Sequence, residues 1–234
     1  MNMVKLDKRL SCVASLINQC VSVIDVGTDH AYLPVFAVQS GICETALACD
    51  VKIGPLENAR QTVKSFGLED RIKTVLSDGL DSVKPTKNCC VVLAGMGGIL
   101  IRELLERATW LFDEGIQIVA QPMSHAEQVR QFFYENGFAI TEEKTAADGK
   151  HCYLALSAVY TGEKTEYTSA KVYYGKLFES EDGTAHVYLK RQYDRLKKRY
   201  NAILQDEKYK QESLSLKAVL DEFELQGRNS DADR

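Results

Sequence analysis

Along residues 1–160, short runs of β-branched and other apolar residues alternate with longer stretches whose apolar positions recur every three or four residues. The short runs predict strands over 22–26, 45–50, 72–76, 91–94, 116–120, 138–144 and 153–159. The wider spacing predicts helices over 11–19, 31–39, 55–66, 99–108 and 126–136. Such alternation belongs to a parallel sheet covered by helices. Only TAADGK separates the last two strand candidates, too few residues for a crossover helix, so these strands are predicted to form an antiparallel hairpin. After Tyr160 the pattern changes. TGEKTEYTS reads as a polar linker, and beyond it Leu189, Tyr193, Leu196, Tyr200 and Ile203 alternate steps of four and three, as do Leu216, Leu220 and Phe223. Ala170, Tyr174 and Leu177 give a shorter version. A helical hairpin or antiparallel coiled coil is expected there, and the closing GRNSDADR has the composition of a disordered segment. The chain thus reads as an α/β unit, 1–160, followed by a helical, coiled-coil-like unit, 161–234.

Composition removes several classes. With 234 residues, 45% of them apolar and 26% charged, the chain can bury a core. The longest apolar stretch, 89–101, is too short for a bilayer and is interrupted by glycines; no signal-peptide core opens the chain. No membrane partner is expected. Seven cysteines include no Cys-x-x-Cys pair, and the four histidines add no ligand spacing. Buried free thiols of a cytoplasmic protein fit this better than disulfides or a metal site. The net charge of −4 speaks against a strongly electrostatic nucleic-acid binder, but 186–200 sets Lys190, Arg191, Arg195, Lys197, Lys198 and Arg199 against Asp194 alone. That helix is either a polyanion contact or a solvated face.

The candidate chemistry gathers at strand ends. Ligands of open parallel sheets bind outside the carboxyl ends of the strands, and the first strand ends in VGTDHAYLP. A G-x-G-x-x-G fingerprint laid on it finds Gly27, then Asp29 and Tyr32 where the other glycines belong. A carboxylate at the second position repels a pyrophosphate, which disfavours NAD and FAD. S-adenosylmethionine, with a sulfonium, an α-ammonium and no phosphate, suits it. Asp29 could also cap a helix starting at Ala31, and both roles can coexist. Asp25, Thr28 and His30 belong to the same turn. Asp50, closing the second strand beside Val51, is placed to accept ribose hydroxyls; Asp78-Gly79 is placed to meet an adenine amino group, or is a plain turn. Ala94-Gly95-Met96-Gly97-Gly98 reads as a loop whose backbone a ligand can approach, with Met96 against a flat base. Gln121-Pro122-Met123 and Tyr32 face the same crevice, where Tyr32 could stack on an extruded base. Core packing is the alternative for Tyr32 and Met96.

Seven strands ending in a hairpin resemble the Rossmann-like class of S-adenosylmethionine-dependent methyltransferases. VIDVGTDHAYLP, AGMGG and the Gln-Pro step resemble, more narrowly, the bacterial tRNA adenine-N1 methyltransferases that modify adenine 22, over essentially the whole chain. The resemblance implies S-adenosylmethionine as cofactor, 1-methyladenosine in tRNA as product, and a C-terminal helical appendage. One position departs from it: Met123 stands where the family is associated with Asn. The expected mechanism is in-line methyl transfer to a neutral adenine N1, with catalysis by positioning and with Asp29 orienting the base or taking up a proton. A methyltransferase for another RNA, a protein or a small molecule, and a non-catalytic RNA-binding protein, stay open at this point. The motifs all precede residue 124, so the first unit is expected to bind cofactor without the second.

Overall fold

The computed structural model describes residues 3–84 and 86–232. Its centre is a seven-stranded sheet of β1 (Cys20–Val26), β2 (Cys43–Asp50), β3 (Ile72–Leu76), β4 (Cys89–Gly97), β5 (Ile116–Ser124), β6 (Phe138–Asp148) and β7 (His151–Tyr160). The strand order is 3-2-1-4-5-7-6. β1 to β5 are parallel; β7 pairs antiparallel with both β5 and β6. The expected edge hairpin is present. The chain reverses direction across the sheet between β1 and β4, where such sheets open a crevice at their carboxyl ends.

Strand periodicity sorts the core into two faces. Val23, Cys90 and Val92 enter one apolar cluster with α1 (Lys8–Ala14), α2 (Tyr32–Gln39) and α3 (Ile53–Ser65). Ile24, Val91 and Leu93 enter the other with α4 (Gly98–Arg107) and α5 (Ala126–Glu135). That second cluster continues without a break into the C-terminal helices α6 (Lys171–Tyr174), α7 (Gly183–Ile203) and α8 (Lys210–Ala232), through Tyr174, Leu177, Tyr188, Leu189, Leu196, Leu220 and Phe223. The contacts Arg199–Glu212 and Tyr193–Glu224 run in opposite senses, so α7 and α8 form an antiparallel hairpin.

Five expectations change. The first helix lies earlier than 11–19, because the Asp7 side chain accepts from the Leu10 amide and starts it there. AGMGG is not a loop but the irregular end of β4, with register shifts against β5 on both sides of Met96, followed directly by α4. Gln121-Pro122-Met123 lies inside β5 rather than after it. Residues 161–169 are strapped to the rest: the Thr165 amide donates to the Tyr134 carbonyl, the Tyr167 ring packs at a tilt against Tyr134, and the Tyr167 hydroxyl donates to Glu135. The segment expected to be disordered is helical to Ala232; 233–234 lie outside the described residues.

A buried ion pair fixes the helical unit to the sheet. Arg130 of α5 and Glu143 of β6 are almost wholly buried, with Nε to Oε1 at 2.6 Å. Arg130 also donates to the carbonyls of Val172 and Tyr173, and Glu143 accepts from the Lys176 amide. Gly175 between them has φ +58° and no room for a side chain: a Cβ would come within 2.1 Å of Glu143 Oε2. The first unit's second face is therefore closed by the helices, which share its core.

Candidate functional site

The turn after β1 is built by backbone. Gly27 and Thr28 both donate their amides to the Cys49 carbonyl of β2. Gly27 has φ +75°, a left-handed geometry that calls for glycine at this turn, and the end of the Met96 side chain of β4 lies against it. The Thr28 hydroxyl accepts from the Ala31 amide at 3.1 Å, and Ala31 adopts the left-handed region at φ 53° just before α2. Thr28, not Asp29, thus serves the helix start. The capping role considered for Asp29 is corrected: its side chain is exposed and turns to His30, Oδ2 to Nε2 at 3.3 Å. His30 stacks on Tyr32 with ring centroids 5.3 Å apart. A non-glycine residue in left-handed geometry at a ligand crevice is strain of the kind that functional sites retain.

Asp25, Gly27, Thr28, Asp29, His30, Tyr32 and Ala94 line one cavity of about 270 Å³. A residue that sequence reasoning missed, Arg9 of α1, lines it too. Its guanidinium donates to Gln121 Oε1 at 2.9 Å, and the same oxygen accepts from the Gly95 amide at 3.1 Å. No local signal marks Arg9, since its partner is 112 residues away. Burial pushes the Asp25 carboxyl up to about 6; a hydrogen bond from Thr28 and the charge of Arg9 oppose that rise, and Asp50 adds to it. A buried acid and an arginine in one cavity match the α-ammonium and α-carboxylate of an amino-acid moiety, so the donor set fits S-adenosylmethionine.

Asp50 ends β2 beside this cavity, with Oδ1 accepting from the Lys52 amide at 2.7 Å. Val51 and Leu76 next to it are exposed apolar side chains. Asp78 is engaged by Arg107, Oδ1 to Nη2 at 3.2 Å. Gly79, at φ +58°, sits so close to Leu104 that the Asp78-Gly79 step serves the turn as well. Gln121 is fully buried and holds Arg9 and Gly95, so its amide orders the site from beneath; Pro122 is buried, and Met123 is 53% exposed.

Pro122, Met123 and Arg195 meet in a second cavity, also about 270 Å³, between the ends of β5 and β7 and helix α7. The other basic residues do not join it. All six are exposed. Lys190 pairs with Asp194, Arg199 with Glu212, Arg191 donates to the Lys150 carbonyl, and Lys197 lies over the Tyr193 ring. Lys198 makes no ion pair among the described residues. No group of three or more metal-ligating side chains occurs among the described residues, and no described helix is long and apolar enough to cross a membrane.

A family model described as a methyltransferase domain matches residues 6–156. The Bacillus subtilis (strain 168) tRNA (adenine(22)-N(1))-methyltransferase is 31% identical over 231 residues, covering 96% of this chain and 97% of that protein. The crystal structure of the B. subtilis m1A22 tRNA methyltransferase TrmK superposes with a TM-score of 0.82 at 28% identity, covering 96% and 98% of the two chains. M. capricolum TrmK in complex with the cofactor product S-adenosyl-homocysteine gives 0.79 at 27% identity, covering 98% and 99%.

Proposed function

Because the chain belongs to the family of the tRNA (adenine(22)-N(1))-methyltransferases, we propose that its crevice transfers the methyl group of S-adenosylmethionine to N1 of an adenine in tRNA, adenine 22 by the family's name. The observation carrying this for the site is the cavity over Gly27, where Asp25 and Arg9 face the place of an amino-acid moiety and Asp29 stands exposed where a phosphate-binding turn needs glycine. Asp25 and Arg9 hold the two charges of the methionine part, and Asp50 the ribose hydroxyls. When bound, the cofactor supplies an electrophilic methyl group on sulfur.

Adenine N1 carries a free lone pair once unpaired, so no strong base is required. The base must leave its stack to be reached. As the N1–C bond forms, the adenine ring becomes cationic and its exocyclic amino group more acidic. Asp29 accepts a hydrogen bond from that group, which orients the base and stabilises the charge that develops. His30 and Tyr32 form a stacked flat surface beside the acid. Met123 lines the second cavity rather than this crevice and carries no hydrogen-bond donor, so discrimination falls on Asp29. Two measurements test this reading: titration calorimetry with S-adenosylmethionine, and tritium transfer from it to bulk tRNA against transfer to a protein extract. Binding with transfer to tRNA alone supports it; transfer to protein contradicts it.

A further inference from the structure

We propose that the second cavity, between the end of β5 and α7, is a subsite for a nucleotide adjoining the target adenine in the RNA chain, with its phosphate on Arg195. This rests on the tRNA reading above. β4 and β5 are neighbours, with Met96 opposite Pro122, and Met96 in turn touches the Gly27 turn. Both cavities therefore lie at the carboxyl ends of neighbouring parallel strands, the crevice at the ends of β1 and β4 and this one at the end of β5.

Its lining suits a nucleotide. Exposed His151 stacks on Tyr153, ring centroids 6.0 Å apart and 20° from parallel, a platform for a base. Met123 and His125 also line it. Arg195 supplies the cation, and two hydrogen bonds to Gln192 Oε1, at 2.8 and 3.2 Å, pre-set its guanidinium. Glu127 lies at 3.5 Å from the same group, a long contact that leaves Arg195 half exposed and able to meet an anion. Of the six basic residues on α7, Arg195 alone lines this cavity. A protein substrate would find neither need for a stacking pair nor a fixed phosphate partner here.

The test compares wild type with Arg195→Ala, Arg195→Lys and His151→Ala, using tRNA and S-adenosylmethionine. Arg195→Ala is expected to raise KM for tRNA about tenfold at nearly unchanged kcat, and to reduce the slope of log affinity against log salt by about one. Arg195→Lys should restore the slope, and His151→Ala should raise KM with the slope unchanged. Cofactor affinity, measured on each variant, should stay as in the wild type and so reports an intact fold. Wild-type KM and slope in Arg195→Ala overturn the subsite while the tRNA reading stands. A wild-type protein that binds cofactor but methylates no tRNA overturns both.

Discussion

Asp25 is the residue whose environment makes the sharpest demand. Its carboxyl titrates near 6 because burial disfavours the charged form, while an ammonium ligand needs that form. Below pH 6 the free protein must lose a proton to bind, so cofactor affinity should fall by up to tenfold per pH unit as the pH drops from 6 towards 5, with a proton released on binding. Above pH 6 affinity should be flat. The sign for folding is opposite. A folded pKa above the unfolded value means that Asp25 favours the fold at low pH and loses that contribution as pH rises through about 6. Calorimetry in buffers of different ionisation enthalpy measures the released proton, and Asp25→Asn should abolish it. Asp50→Ala should weaken cofactor binding by about 1–3 kcal/mol, the scale of a charge-assisted hydrogen bond, as read by the same titration. Asp29→Ala should leave binding intact and slow methyl transfer at least tenfold, about 1.4 kcal/mol of barrier, in a single-turnover assay.

Among the elements, β1 to β7 were legible because short β-branched and apolar runs, separated by turns and helix-length stretches, encode strands locally. The Gly27 turn was legible because one side chain, Asp29, is incompatible with a pyrophosphate. Arg9 was not, because its place depends on Gln121 from the far half of the chain. Nor was the reach of β4 and β5 into their glycine and proline motifs, since the neighbouring strand supplies the pairing there. The linker reading failed for a similar reason: polar composition at 161–169 concealed Tyr167, whose ring packs near Tyr134. The Arg130–Glu143 pair, 13 residues apart, gains its meaning only through α6. Breaking it by Glu143→Gln leaves a buried guanidinium uncompensated and should cost about 3–5 kcal/mol in denaturant unfolding, with the α/β and helical signals lost together. Cutting the chain near Gly162 should yield aggregated protein rather than a free-standing cofactor domain.

At the scale of the molecule, an acidic chain carries one helix, α7, on which six basic residues are exposed. The exposed cations of α7 divide into those already tied to neighbours and those able to reach phosphate. Changing Lys190, Arg191, Lys197 and Lys198 to Glu should weaken tRNA binding and flatten its salt dependence without altering cofactor affinity. Equal slopes would make that face merely solvated. What defines the reaction is the atom that receives the methyl group. It is tested by incubating unmodified tRNA with the protein and S-adenosylmethionine, digesting to nucleosides and identifying the product by chromatography and mass spectrometry. The wild-type protein should form 1-methyladenosine, and Asp29→Ala should form it at least tenfold more slowly. Methyl groups on another nucleoside, on another atom of adenine, or on none, would contradict it.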